Sequence, residues 1–401
     1  MITTMLTLEK RHTPLPRQGL TIAAIALGTA FIAGAAVMAA YGANPLTAYA
    51  AMLRGALGSG FGLTEVVVKA IPLTLTGLAV ALCATMLLWN IGCEGQFVMG
   101  GIGAAGAVMF FVPHMPGWLA LPAVLLCGVA GGAVWAYIPA VLKVWSNVSE
   151  ILTTLLLNYV AIILMEHLYF GPWRDPAGMG FPGTAPFPPE AMLPRLFDTR
   201  IHMGVFAAVA LALLLHTLLA RSKWGFSIRI IGHGPRAATY AGLNTARQTL
   251  LVMTMSGALA GFAGACEAAA IHYRLQEGFA SGYGYDGIIV ACLAALRPRM
   301  VPVCALLLGV FIVGGEQLAT MMQLPASISR ILEGALLFGF LLGESVCRYR
   351  VRVNTKTPAA PASTGSPISA PLPQTNGNNQ PGAPAENSVA SGRLTPKQRI
   401  R

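Results

Sequence analysis

Between residues 19 and 346 the chain is a succession of apolar runs, most of them about twenty residues long, separated by short polar breaks. A hydrocarbon layer about 30 Å thick takes about 20 residues of helix to cross, and within it every backbone N–H and C=O must be bonded inside the segment. Runs of that length leave one architecture open, an all-α, polytopic bundle of membrane-crossing helices. Composition agrees: 55% of residues are hydrophobic and 10% charged, against about 25% charged in soluble domains. The net charge of +11 does not indicate nucleic-acid binding, because the bases lie between apolar runs rather than on one soluble face.

Ten spans are expected, over residues 19–40, 65–88, 97–112, 118–142, 150–170, 201–220, 249–273, 283–296, 301–323 and 327–346. The first is longer than the apolar region of a signal peptide, about 7–15 residues, and reads as an uncleaved helix behind a polar cytoplasmic segment, 1–18. The eighth is short and a candidate re-entrant segment; the second and third meet at glycines. Segment 171–200, with seven prolines, forms an external loop, and 354–401, rich in Pro, Ser, Asn and Gly, is expected to be a disordered cytoplasmic tail. With both termini inside, the inner segments up to Lys356 hold fifteen Lys and Arg and the outer ones seven, the asymmetry expected when basic loops stay cytoplasmic.

The most basic of the breaks is 221–247, with Arg221, Lys223, Arg229, Arg236 and Arg247 and no acid. A short helix is expected from Pro235 to Ala241, closed by Gly242, since Pro in the first turn and Gly past the end punctuate helices. Such a knob suits a docked partner or an anionic lipid surface, and charge alone leaves both open.

Polar groups inside spans point to function, because a charge at a helix centre costs about 2.5–3.5 kcal/mol on insertion scales. Asn90, Glu94, Gln96, Asn158 and Glu316 are the candidates for a path taken by a hydrogen-bonding solute, with interhelical hydrogen bonding as the other reading. Glu267 and the pair Glu166–His167 fit the second reading better. The seven cysteines form no C-x-x-C pair and read as packing residues, so no disulfide framework or metal site is indicated. G-x-x-x-x-G-K-[ST], H-E-x-x-H and G-x-S-x-G do not occur. The chain is therefore not expected to be an enzyme, to hydrolyse ATP by that route or to carry a cofactor. The G-x-x-x-G spacings at Gly257–Gly261 and Gly339–Gly343 suit close helix packing.

Three further stretches sharpen this reading. They are Asn90-Ile91-Gly92-x-Glu94-Gly95-Gln96, then Glu150-Ile151-Leu152-Thr153-Thr154-Leu155-Leu156-Leu157-Asn158-Tyr159, then Gly171-Pro172-Trp173-Arg174-Asp175-Pro176. With the loop pattern through Gly225, Arg229, Gly232, Pro235, Ala237, Ala238, Tyr240, Ala241 and Gly242, they resemble the permease subunits of bacterial ABC importers for nucleosides and simple sugars. The resemblance runs from about residue 65 to 344; Gly234-Pro235 and Arg236 depart from the family pattern, in which Asn-Pro and an acid are expected.

The resemblance implies a type II importer architecture and an inner-membrane permease. It pairs with a second permease subunit, two ATPase subunits and an extracytoplasmic solute-binding protein. Arg229, Gly232, Pro235, Arg236, Ala237, Ala238, Tyr240 and Gly242 then belong to the element coupled to the ATPase. The alternative is an ion-coupled secondary transporter or channel using Glu316 or Glu94.

Overall fold

The structure, a computed structural model, describes residues 3–10, 18–325 and 327–356. The described residues fall into two units, 3–7 with 353–356, and those between 8 and 352. Thirteen α-helices follow one another among the described residues: α1 (Gln18–Ala40), α2 (Pro45–Leu57), α3 (Gly60–Ala84), α4 (Cys93–Phe110), α5 (Gly117–Ser146), α6 (Glu150–Phe170), α7 (Gly204–Arg221), α8 (Lys223–His233), α9 (Pro235–Tyr240), α10 (Thr245–Glu267), α11 (Tyr283–Leu293), α12 (Val301–Met322) and α13 (Ser327–Arg348). Two strands, β1 (Thr3–Lys10) and β2 (Tyr349–Lys356), pair in a two-stranded sheet. This sheet was not expected from the polar N-terminal segment, and it takes in residues 354–356 at the start of the expected tail; residues 357–401 of that tail lie outside the described residues.

Each of the ten expected runs corresponds to a helix. Among the described residues, eight helices are long and apolar enough to cross a membrane: α1, α3, α4, α5, α6, α7, α10 and α12. The other two differ for separate reasons. Helix α13 has 22 residues but carries Arg330, Glu333, Glu344 and Arg348, which lower its hydropathy. Helix α11 has 11 residues, about 16 Å at 1.5 Å per residue, so it covers about half the hydrocarbon layer. An unexpected element is α2, 13 residues packed on α12. Its start is set by the Asn44 side chain, which accepts from Leu46 N at 3.0 Å, and by Pro45 in the first turn. The basic segment holds two helices, α8 and α9, where one short helix was expected.

Helix α3 is the axis of the bundle. Of its most apolar window 89% is buried, against 22% for α1 and α6. Around α3 lie α7, α10, α11 and α12. Close packing elsewhere comes from missing side chains: Gly132 of α5 faces Gly257 and Gly261 of α10, and Gly264 of α10 lies on the backbone of Phe97 in α4. Without a solvent-driven hydrophobic force in lipid, such backbone approach is what holds helices together. The second small-residue spacing works likewise, with Gly339 against Ala26 and Thr29, and Gly343 against Ile22. Because Gly34 meets Leu332 at the other end, α1 and α13 run antiparallel and bring both ends of the bundle to the same side.

Candidate functional site

The eight residues between α3 and α4 form a non-helical junction, and a buried polar network is built on it. Asn90 and Gln96 pair reciprocally: Asn90 Nδ2 donates to Gln96 Oε1 at 2.9 Å, and Gln96 Nε2 to Asn90 Oδ1 at 3.0 Å. Asn90 Nδ2 also donates to Ser256 Oγ at 2.9 Å, and Ser256 Oγ to the Ala79 carbonyl at 2.7 Å. Asn158 on α6 accepts from Gly95 N at 2.8 Å and donates to the Ile91 carbonyl at 2.9 Å and to Tyr285 Oη at 3.1 Å. The network thus joins α3, α4, α6, α10 and α11. Asn90, Glu94, Gln96 and Asn158 are each 0–1% exposed.

Glu94 explains how a half-length helix survives inside the bundle. The first N–H groups of a helix have no partner within it, and an unpaired group at membrane depth is costly. The two Glu94 carboxylate oxygens accept from Gly282 N at 2.9 Å and Gly284 N at 2.7 Å, so a carboxylate of α4 caps the positive end of α11. Two glycines make room for it. Gly282 takes φ +95°, a left-handed conformation, and a Cβ on Gly284 meets the Glu94 backbone.

From the other side Arg330 of α13 reaches the same helix start. Its guanidinium donates to the Ser281 carbonyl and lies 3.4 Å from Asp286 and 3.3 Å from Glu333, two carboxylates that are 5% and 4% exposed.

Of the five expected pathway residues the structure therefore brings four together and leaves one apart. Glu316 on α12 pairs with Lys69 of α3 at 3.1 Å, in a half-open position where its side chain is 52% exposed. Lys69 also sits 5.8 Å over the ring of Tyr283. Tyr285, Ser256, Asp286, Arg330 and Glu333 were missed by sequence reasoning. Asp286 and Glu333 in otherwise apolar helices, and the glycines of Gly282-Tyr283-Gly284 ahead of one of them, were the available signals.

The basic segment is built the opposite way. Ser222 caps α8, accepting from Gly225 N at 2.9 Å, and α8 lies on the bundle through Gly232, where a Cβ comes within 2.9 Å of the Met86 backbone. Arg229 folds back, its guanidinium donating to the Leu219 carbonyl at the end of α7. Pro235 opens α9, and Gly242 after it takes φ +80°, the left-handed conformation that ends helices. Ala238, expected to face a partner, is 0% exposed, on a helix that contacts α8 and α10. Arg236 and Ala237 are exposed, and Tyr240 is 91% exposed. Among the described residues no carboxylate forms an ion pair with any of the five bases of this segment.

Comparison with known proteins converges on one class. The glucose ABC transporter permease protein TsgB13 of Haloferax volcanii is 33% identical over 335 residues, which cover 81% of this chain and 87% of that protein. The guanosine ABC transporter permease protein NupP of Bacillus subtilis is 31% identical, over 77% of this chain and 88% of that protein. The nucleoside ABC transporter permease protein NupB of Lactococcus lactis is 28% identical, over 78% and 88% respectively. Residues 62–341 match the family described as "Branched-chain amino acid transport system / permease component". The chain belongs to that family, and is a multi-pass membrane permease subunit of an ABC transporter.

Proposed function

We propose that this permease moves a nucleoside or a simple sugar into a prokaryotic cell, driven by ATP hydrolysed on separate subunits that dock on α9. The solute class rests on the names of the relatives, which are permeases for glucose, guanosine and nucleosides. The docking reading rests on one observation: a short helix presents a 91% exposed Tyr240 on a base anchored by the fully buried Ala238. Large exposed aromatics on a rigid mount are what interfaces use as anchors. In this reading α8, α9 and both termini face the cytoplasm, as the excess of Lys and Arg suggests. An extracytoplasmic solute-binding protein meets the segment around 171–200, and a second permease subunit completes the transporter.

The junction residues then have a different task from the one their polarity suggests. Asn90, Glu94, Gln96 and Asn158 have no free hydrogen-bonding surface to offer a solute, so they frame the path. Glu316 is the residue of the set left to meet it, together with its partner Lys69. The pair is partly open, and both groups bond hydroxyl and amide groups. Chemistry of hydrolysis belongs to the ATPase subunits, and this chain's contribution is mechanical.

The test has two parts. Tyr240→Ala and Arg236→Ala, purified from native membranes, are expected to lose co-purifying ATPase by at least about ten-fold, while the permease itself keeps its unfolding temperature. Uptake of labelled guanosine and labelled glucose by cells expressing the intact transporter assigns the solute. Full ATPase retention in both variants refutes the docking reading, and transport of neither solute refutes the assigned class.

A further inference from the structure

Where α7 ends and α12 begins, the fold leaves a cleft of about 390 Å³. Its lining includes Arg229, Arg297, Arg299 and His216 together with Leu219 and Leu296. Arg297 and Arg299 are exposed, and among the described residues neither forms an ion pair. Arg229 spends one donor on the Leu219 carbonyl and has others free, because a guanidinium carries five. The cleft thus combines a cationic and an apolar lining. It lies at the depth where two membrane-crossing segments, Gly204–Arg221 and Pro298–Met322, terminate.

We infer that this cleft binds the phosphate head group of an anionic phospholipid from the leaflet on the side of α8 and α9. A phosphate needs several N–H donors and charge compensation, which arginine forks supply. The apolar part of the lining suits the glycerol and first acyl carbons of a lipid, which a free ion lacks. No acid lines the cleft to compete. Basic pockets between helices at this depth have the chemistry of lipid head-group sites. The site also has a consequence for the fold. A lipid held by Arg229 of α8 together with Arg297 and Arg299, which precede α12, ties the basic hairpin to the bundle at a place where the protein alone leaves cations unpaired.

The test uses the full chain with its co-purifying subunits, in nanodiscs of phosphatidylcholine containing a minor fraction of phosphatidylglycerol. Retained lipid is counted by native mass spectrometry. Phosphatidylglycerol is expected to be retained in preference to phosphatidylcholine and to resist competition by inorganic phosphate. The double variant Arg297→Gln, Arg299→Gln is expected to weaken retention about thirty-fold, each base near a membrane surface being worth a factor of about five in affinity. Its unfolding temperature in pure phosphatidylcholine should equal that of the parent. Lys223→Gln, Arg247→Gln removes the same charge outside the cleft and should leave retention unchanged. The inference fails if the two double variants lose lipid equally, which indicates only a diffuse field. It fails if inorganic phosphate displaces the bound species, which indicates a free-anion site. It fails equally if the cleft variant sheds ATPase subunits while keeping its lipid, which makes the cleft a protein face.

Discussion

The helix junction at 85–92 and the basic segment at 221–247 are both polar interruptions in an apolar chain, yet they are finished in opposite ways. At the junction, Asn90, Glu94, Gln96 and Asn158 are buried and hydrogen-bonded to one another or to backbone. In the basic segment, Arg236 and Tyr240 stand in the open. The difference follows from where each lies. Inside the membrane an unanswered polar group has no water to turn to, so the junction must close on itself. Outside it, solvated charge costs little, and polar groups can be left free for a partner. Polarity in such a chain therefore marks two things, internal framing where it is buried and recognition where it is not.

The largest effect should come from opening the closed region. Glu94→Ala removes the acceptor of two N–H groups at the start of α11, each worth about 1–3 kcal/mol when left buried and unpaired. A loss of about 4 kcal/mol is expected, seen as failure to accumulate or a large fall in unfolding temperature in detergent. Asn158→Ala strips partners from Gly95 N, the Ile91 carbonyl and Tyr285, and should cost about 2–3 kcal/mol. A Glu94→Ala protein of normal stability and altered solute preference would show that the carboxylate faces solute, and the contrast between the two regions would break.

The second effect separates two neighbours in the open region. Ala238 is fully buried and Ala237 exposed. Ala238→Glu forces a charge into the angle of α8, α9 and α10 and should destabilise the hairpin by about 2–3 kcal/mol, measured as faster hydrogen exchange over α8 and α9 in the permease alone. Ala237→Glu should leave that exchange unchanged and weaken only ATPase co-purification. Equal behaviour of the two would mean that α9 is not mounted on Ala238.

The crossing helices were legible because length and apolarity alone decide whether a helix fits a bilayer. What escaped was decided by tertiary contact. Helix α2, with Arg54 inside 13 residues, has neither the length nor the apolarity of a span, and only Asn44-Pro45 signalled its start. The oddity of Glu94 was visible, but its partners Gly282 and Gly284 lie 188 and 190 residues further along, beyond any local pattern. Arg330 read as a charge at an outer helix end, and only the fold shows it beside Asp286 and Glu333. In α9 the sequence indicated a helix with a Gly stop, but which face turns inward depends on where α8 lies against Met86.

The smallest effect concerns a residue that obeys neither pattern. His202, just before α7, is fully buried, yet outside the crossing segments. Its Nδ1 accepts from Gly204 N at 3.2 Å, which places the proton on Nε2, an atom with no partner among the described residues. Burial holds its pKa down to about 4, from the ordinary 6.5. Between those values the unfolded chain binds a proton that the folded chain refuses, so stability rises with pH. The contribution is whole above about pH 6.5 and is lost as pH falls toward about 4; at pH 5.5 the loss is about 1 kcal/mol. Unfolding temperature measured between pH 7.5 and pH 5.5 should fall accordingly. His202→Asn keeps an acceptor near the position of Nδ1 and cannot take up the proton, so it should flatten the profile. An unchanged slope in that variant would place the acid sensitivity elsewhere.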